Sequence, residues 1–118
     1  MAVTSLFPIL RTTDLQRLVA FYQTAFGAEE VYRFEDAYVA LKLGPASLGI
    51  GQVPQIDAGD QMSIWLYMDD VDAGHAAGLA AGGRSESAPQ DMPWGERVAG
   101  LFDPDGNLLQ LGAPTPST

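Results

Sequence analysis

Apolar positions along the chain change period several times, and each change marks an element. Ser5–Arg11 is an apolar run of strand length that ends at Thr12-Thr13-Asp14, where Thr13 or Asp14 can cap a helix. Leu15, Leu18, Val19, Tyr22 and Phe26 then recur at helical spacing until Gly27 stops them. Short strand-like runs follow at Glu30–Phe34, Tyr38–Leu43 and Leu48–Gln52, separated by Glu35-Asp36 and Gly44-Pro45. Val53–Gln61 carries turn residues and no period, so it reads as a loop. The order then begins again. Met62–Met68 reads as a strand, Asp69-Asp70 as a helix start, Val71–Ala81 as an Ala/Gly-rich helix and Gly82-Gly83 as its stop. Strands at Arg84–Ser87, Glu96–Phe102 and Asn107–Gly112 complete the series before a loose tail at Pro114–Thr118.

The recurrence extends to individual residues. An offset of 56 sets Asp14 on Asp70, Leu15 on Val71, Ala20 on Ala76 and Gly27 on Gly83. An offset of 59 sets Val39-Ala40 on Val98-Ala99 and Pro45 on Pro104, and one of 60 sets Leu48 on Leu108. The expected fold is therefore α+β: two βαβββ repeats, about 3–53 and 61–113, in a single domain covering 1–118. Together they would form a cupped mixed β-sheet with the helices on its outer face. Alternation groups Phe7, Ile9 and Arg11 on one strand face, and Ser63, Trp65 and Tyr67 on its repeat partner. Leu48, Ile50 and Gln52 go together, as do Leu108 and Gln110. Met62, Ile64, Leu66 and Met68, on the other face of the fifth strand, are wholly aliphatic and suit a helix layer.

Composition narrows the chemistry. With 118 residues, 47% hydrophobic and 18% charged, the chain can fold around one core. No apolar run approaches the roughly 20 residues of a membrane span, and no secretory signal opens the chain, so a cytoplasmic protein without a membrane partner is expected. The absence of cysteine excludes disulfides, thiolate catalysis and Cys-ligated zinc. Fifteen acidic against six basic residues, a net charge of −9, weighs against a nucleic-acid partner and is compatible with solubility alone. The single His, His75, lies mid-helix without partners at ligand spacing and reads as packed. Asp69-Asp70 read as helix-capping charges. Asp103–Asn107 reads as a tight turn, since no bidentate Glu follows as in a calcium loop.

Asp14-Leu15, Ala20-Phe21-Tyr22, Phe26-Gly27, Met68-Asp69-Asp70-Val71, Trp94-Gly95-Glu96-Arg97 and Asp103-Pro104-Asp105-Gly106-Asn107 together resemble the vicinal oxygen chelate superfamily. That superfamily includes glyoxalase I, extradiol dioxygenases and drug-binding resistance proteins. In its metal-dependent members the resemblance implies ligands on the first, fourth, fifth and eighth strands. Here those positions fall at Phe7, Ile50, Ser63 and Gln110, which offer no set of anionic or imidazole donors for a divalent ion. No metal, no other cofactor and no catalytic residue are therefore expected. The stretch Trp94-Gly95-Glu96-Arg97 resembles one in the drug-sequestering members, where the Trp stacks on a planar part of the drug.

The resulting expectation is an aromatic-walled cup lined by Phe7, Ile9, Ile50, Ser63, Trp65, Tyr67, Trp94, Val98 and Gln110, with Arg97 as a further polar contact. Its partner would be an aromatic or quinone-like small molecule, sequestered rather than transformed, and the protein would be a homodimer that exchanges halves. Three alternatives stay open: ordinary core packing for the apolar members of that set, an enzyme with an atypical or metal-independent site, and a domain whose natural ligand is not a drug.

Overall fold

The computed structural model describes residues 2, 5, 7–56 and 62–116. The first unit comprises β1 (Ile9–Thr12), α1 (Leu15–Phe26), β2 (Glu29–Phe34), β3 (Tyr38–Leu43) and β4 (Ala46–Gln52). The second comprises β5 (Ser63–Tyr67), α2 (Val71–Ala80), β6 (Arg84–Asp91), β7 (Glu96–Phe102) and β8 (Leu108–Pro114). Each unit makes its own four-stranded mixed sheet, in the orders β1-β4-β3-β2 and β5-β8-β7-β6. The β1–β4 and β5–β8 pairs are parallel, and the others antiparallel. The two βαβββ repeats are thus present, with the sheet divided between them. Among the described residues no helix is long and apolar enough to cross a membrane.

Local chemistry accounts for most boundaries. Asp14 caps α1 by accepting from the Arg17 amide at 3.2 Å, and Gly27 ends it with φ of 69°, a conformation costly for residues with a Cβ. β1 begins at Ile9 rather than Ser5: Pro8 has no N–H to place in a ladder, although its carbonyl still accepts from Gly49 N at 2.9 Å. Leu6 of that expected strand lies outside the described residues, as do 57–61 of the expected loop and 117–118 of the tail. β6 reaches Asp91 instead of stopping at Ser87. Its polar run includes Pro89, which an edge strand tolerates, and its register shifts twice along the strand.

The two helices reach the core differently. α1 buries Leu15, Leu18, Val19, Phe21 and Tyr22. α2 approaches closely through glycine: a Cβ on Gly74 would collide with Met68, and one on Gly78 with Leu101. One apolar cluster joins both units, and Phe21 of α1 packs against Gly83 at the end of α2. The radius of gyration is 14.9 Å with extents of 50 × 38 × 26 Å. A compact chain of this length would have about 13.5 Å, so the molecule is elongated.

A polar network also joins the units. The buried Asp103 carboxylate accepts from Tyr22 Oη at 2.8 Å, Asn107 Nδ2 at 2.8 Å and the amides of Asp105 and Asn107 at 2.9 Å each. Asp105 in turn accepts from Thr12 Oγ1, and from Arg17 Nη2 at 2.9 Å. Removing a partner from a buried carboxylate leaves a desolvated group unsatisfied. Tyr22→Phe is therefore expected to lower stability by about 1–3 kcal/mol, and Asp103→Ala, which strands four donors, by more. Urea unfolding checks this through the midpoint at unchanged m-value.

Candidate functional site

In the second unit, cross-strand register places Ser63, Leu108 and Phe102 in one row, Trp65, Gln110 and Gly100 in the next, and Tyr67, Gly112 and Val98 in the third. Side chains in these rows share the face away from α2, while Ile64, Leu66, Leu109, Leu111 and Leu101 supply the opposite face. Trp65 and Tyr67 stack with centroids 6.0 Å apart and an interplanar angle of 26°. Both lie over Gly112, where an added Cβ would meet the Tyr67 ring at 3.3 Å and the Trp65 ring at 3.4 Å. Glycine thus lets the rings lie flat on the strand. They remain open to solvent, Trp65 at 47% and Tyr67 at 66%.

Trp94 sits in the β6–β7 turn, which Gly95 N closes on Met92 O at 3.2 Å. Its indole Nε1 donates to Glu96 Oε1 at 2.7 Å. The Tyr67 phenol lies above its ordinary pKa, first through hydrogen bonding to the Glu96 carboxylate and then through that group's charge. Glu96 therefore links the turn Trp to the stacked pair. At the other end of the face the Arg84 guanidinium lies 4.7 Å over the Phe102 ring, and Glu86 covers Gly100.

The first unit has a corresponding face. Ile9, Gly49 and Ala40 align in one row, and Arg11, Gly51 and Tyr38 in the next. Tyr32 and Phe34 extend them through β2, with the Tyr32 and Tyr38 rings 6.4 Å apart. Tyr38 lies over Gly49. Phe7 precedes β1 and is exposed, as are Ile9, Tyr32 and Phe34.

The expected lining set is therefore divided. Ser63, Trp65, Tyr67, Val98 and Gln110 share the second-unit face with Trp94 at its end, while Ile9 lies on the first-unit face. Val98 is buried there, outside the main core cluster. Ile50 requires correction. It pairs with Leu10 and Val39, all three are fully buried, and it belongs to the helix side. Pairing Trp65 with Gln110 and Ile9 with Gly49 makes the true repeat mate of Gln110 Gly49, at an offset of 61 rather than 60. That one-residue slip reverses the face. Arg97 also points away: it holds Asp72 through two bonds of 2.7 and 2.9 Å and Asp91 at 3.1 Å.

With that register, the positions corresponding to a family metal site are Phe7, Gly49, Ser63 and Gln110, and their chemistry does not fit a divalent ion. Among the described residues no three His, Asp or Glu side chains are grouped to hold one. His75 is buried, with Nε2 2.8 Å from Ser85 Oγ. A cavity of about 710 Å³ borders this site: Trp65 and Tyr67 line it together with residues of α1, the β3–β4 turn and the start of α2.

Residues 4–111 match the model of the Glyoxalase/Bleomycin resistance protein/Dioxygenase superfamily. An uncharacterized protein of Mycobacterium bovis is 30% identical over 93% of this chain and 83% of its own length. A glyoxalase/bleomycin resistance protein/dioxygenase family enzyme from Burkholderia phytofirmans superposes with a TM-score of 0.83 at 22% identity, covering 92% of this chain and 96% of that one. A bleomycin-binding protein in complex with bleomycin superposes with a TM-score of 0.73 at 28% identity, covering 94% and 98%.

Ile9 and Ile50 test the register. Ile50→Ala is expected to cost about 2–5 kcal/mol of stability through the cavity it leaves. Ile9→Ala should stay within about 0.5 kcal/mol of the parent, being exposed. Thermal or urea unfolding of the pair separates the two.

Proposed function

This chain belongs to the glyoxalase/bleomycin resistance protein/dioxygenase superfamily, and we propose that within it the protein binds a planar, largely apolar antibiotic or related metabolite and sequesters it unchanged. The observation that carries this reading is the Trp65–Tyr67 stack, laid on Gly112 and open to solvent on the face where a metal-dependent relative would gather ligands. Aromatic rings prefer offset stacking on a second flat π-system, and such a face loses water readily. Gln110 and Ser63, in neighbouring rows, supply the polar contacts that orient the guest. The bleomycin-binding neighbour supports ligand capture as a role for this fold.

A complete cup needs a second wall. Phe7, Ile9, Tyr32 and Phe34 are exposed on the first unit, Trp65, Tyr67 and Trp94 on the second, and the units of one chain meet through α1 and α2. We assign the second wall to a partner copy in a homodimer, so that each cup combines the first unit of one chain with the second unit of the other. The Tyr67–Glu96 pair favours one rival, a metal-independent enzyme using the phenol and carboxylate as acid and base.

Light scattering should give twice the chain mass; a monomer at working concentration overturns the exchanged cup. Tryptophan quenching by 1,4-naphthoquinone should saturate, and Trp65→Ala should weaken binding about tenfold or more, some 1.4 kcal/mol. Chromatography after incubation should return the quinone unchanged; quantitative conversion would establish the enzyme instead. Dialysed protein should retain no stoichiometric divalent metal by elemental analysis, and retention of one would overturn the metal-free site.

A further inference from the structure

Glu96 occupies an unusual place in the aromatic wall. It lies on the concave face of β7, in the same alternation as Val98 and Gly100, and pairs across to Pro114 of β8. Its carboxylate accepts from the Trp94 indole N–H at 2.7 Å and lies near enough to the Tyr67 phenol to raise that group's pKa. Both donors are neutral, so they orient the carboxylate without cancelling its charge. The adjacent Arg97 is turned to the other face by its bonds to Asp72 and Asp91. Arg84 shares the face of Glu96 but sits at the far end, opposite Phe102. Six residue steps along β7, from Glu96 to Phe102, separate the two rows, about 20 Å at strand rise. Among the described residues no Arg or Lys pairs with Glu96. A negative charge therefore sits amid Trp94, Tyr67 and, through the stack, Trp65.

We propose that Glu96 sets the charge preference of the cup, so that the wall of Trp65, Tyr67 and Trp94 selects planar ligands carrying a fixed positive charge. This inference rests on the binding role proposed above and names the ligand class. Ring faces attract a cation through their quadrupole, and a partly shielded carboxylate among them adds a direct ionic attraction. The chain's charge of −9 steers cations in the same direction. Glu96 also has a positioning role, because it accepts the Trp94 indole N–H and so orients the turn aromatic.

A matched pair of probes tests the assignment: N-methylquinolinium, permanently cationic, and quinoline, neutral at pH 7, each titrated by tryptophan quenching. Wild-type protein should bind the cation at least tenfold more tightly. Glu96→Gln keeps an oxygen acceptor for the Trp94 N–H while removing the charge, so it should lose most of that preference, the lost factor corresponding to about 1.4 kcal/mol. Glu30→Gln, an equal change in net charge on the core-side register of the first unit, should leave the preference intact. Equal binding of the two probes by wild type, or a preference that survives Glu96→Gln or falls equally in Glu30→Gln, overturns charge selection and leaves the sequestering role standing. Binding of neither probe overturns both.

Discussion

The carboxylate of Asp103 holds the two units in their mutual arrangement. It is buried between them and accepts four hydrogen bonds, one from the Tyr22 hydroxyl of the first unit and three from its own loop. Burial raises its pKa above the ordinary aspartate value, opposed by those same hydrogen bonds. It raises the Tyr22 phenol as well, with the charges of Asp103 and Asp105 acting in the same direction. The bond is consequently strongest as neutral phenol against carboxylate, the pairing that a dry interior favours. Because Tyr22 projects from α1 and Asp103 follows β7, this contact fixes the helix of the first unit against the β7–β8 loop of the second. Both concave faces are left outward.

The two repeats spend their helix positions unequally. At an offset of 56, Tyr22 of α1 corresponds to Gly78 of α2, one filling space with an aromatic ring and the other vacating it for Leu101. On the opposite faces the emphasis is reversed. Arg11 in β1 corresponds to Tyr67 in β5, and Ile9 to Trp65. The first unit therefore adds an aromatic ring inside, against the sheet, at a position where the second has glycine. Both halves present rings, Phe7, Tyr32 and Phe34 on the first and Trp65, Tyr67 and Trp94 on the second, but only the first also anchors through a helix tyrosine.

Much of this was legible in the sequence, and the failures have physical causes. Helix periodicity with Asp14 and Gly27 as punctuation located α1 to the residue, and strong alternation did the same for β3 and β7. The apolar pattern ends β6 at Ser87, since a bulged edge strand can be polar and contain proline and so carries no apolar period. The apolar pattern puts Ile50 on the wrong face because the β7–β8 connection is longer than the β3–β4 turn, which moves the offset from 60 for Val39 and Ala99 to 61 for Ile50 and Leu111. Apolar pattern could not reveal this, since Leu48 aligns plausibly with either Leu108 or Leu109. The inter-unit role of Asp103 was hidden for another reason: Asp-Pro-Asp-Gly-Asn specifies a turn locally and says nothing about Tyr22. Glu96 had a weak signal, a Trp two residues before a carboxylate across a glycine turn, but register is needed to place both on the concave face.

Gly49 at the fourth-strand position weighs against a metal centre more heavily than Ile50 would. Ile50 at a ligand position could have reflected a chelating residue replaced by an apolar one of comparable bulk; Gly49 there has no side chain at all. Gly49 and Gly51 on β4 and Gly100 and Gly112 on β7 and β8 instead make the floors of both faces shallow, and rings or long side chains lie across three of them. A metal site needs donors that project and converge, held by further hydrogen bonds. A stacking site needs the reverse, flat backbone beneath aromatic planes that can separate to admit another plane. The placement of glycine under Tyr38, Trp65 and Tyr67 satisfies the second requirement, and Phe7, Gly49, Ser63 and Gln110 fail the first.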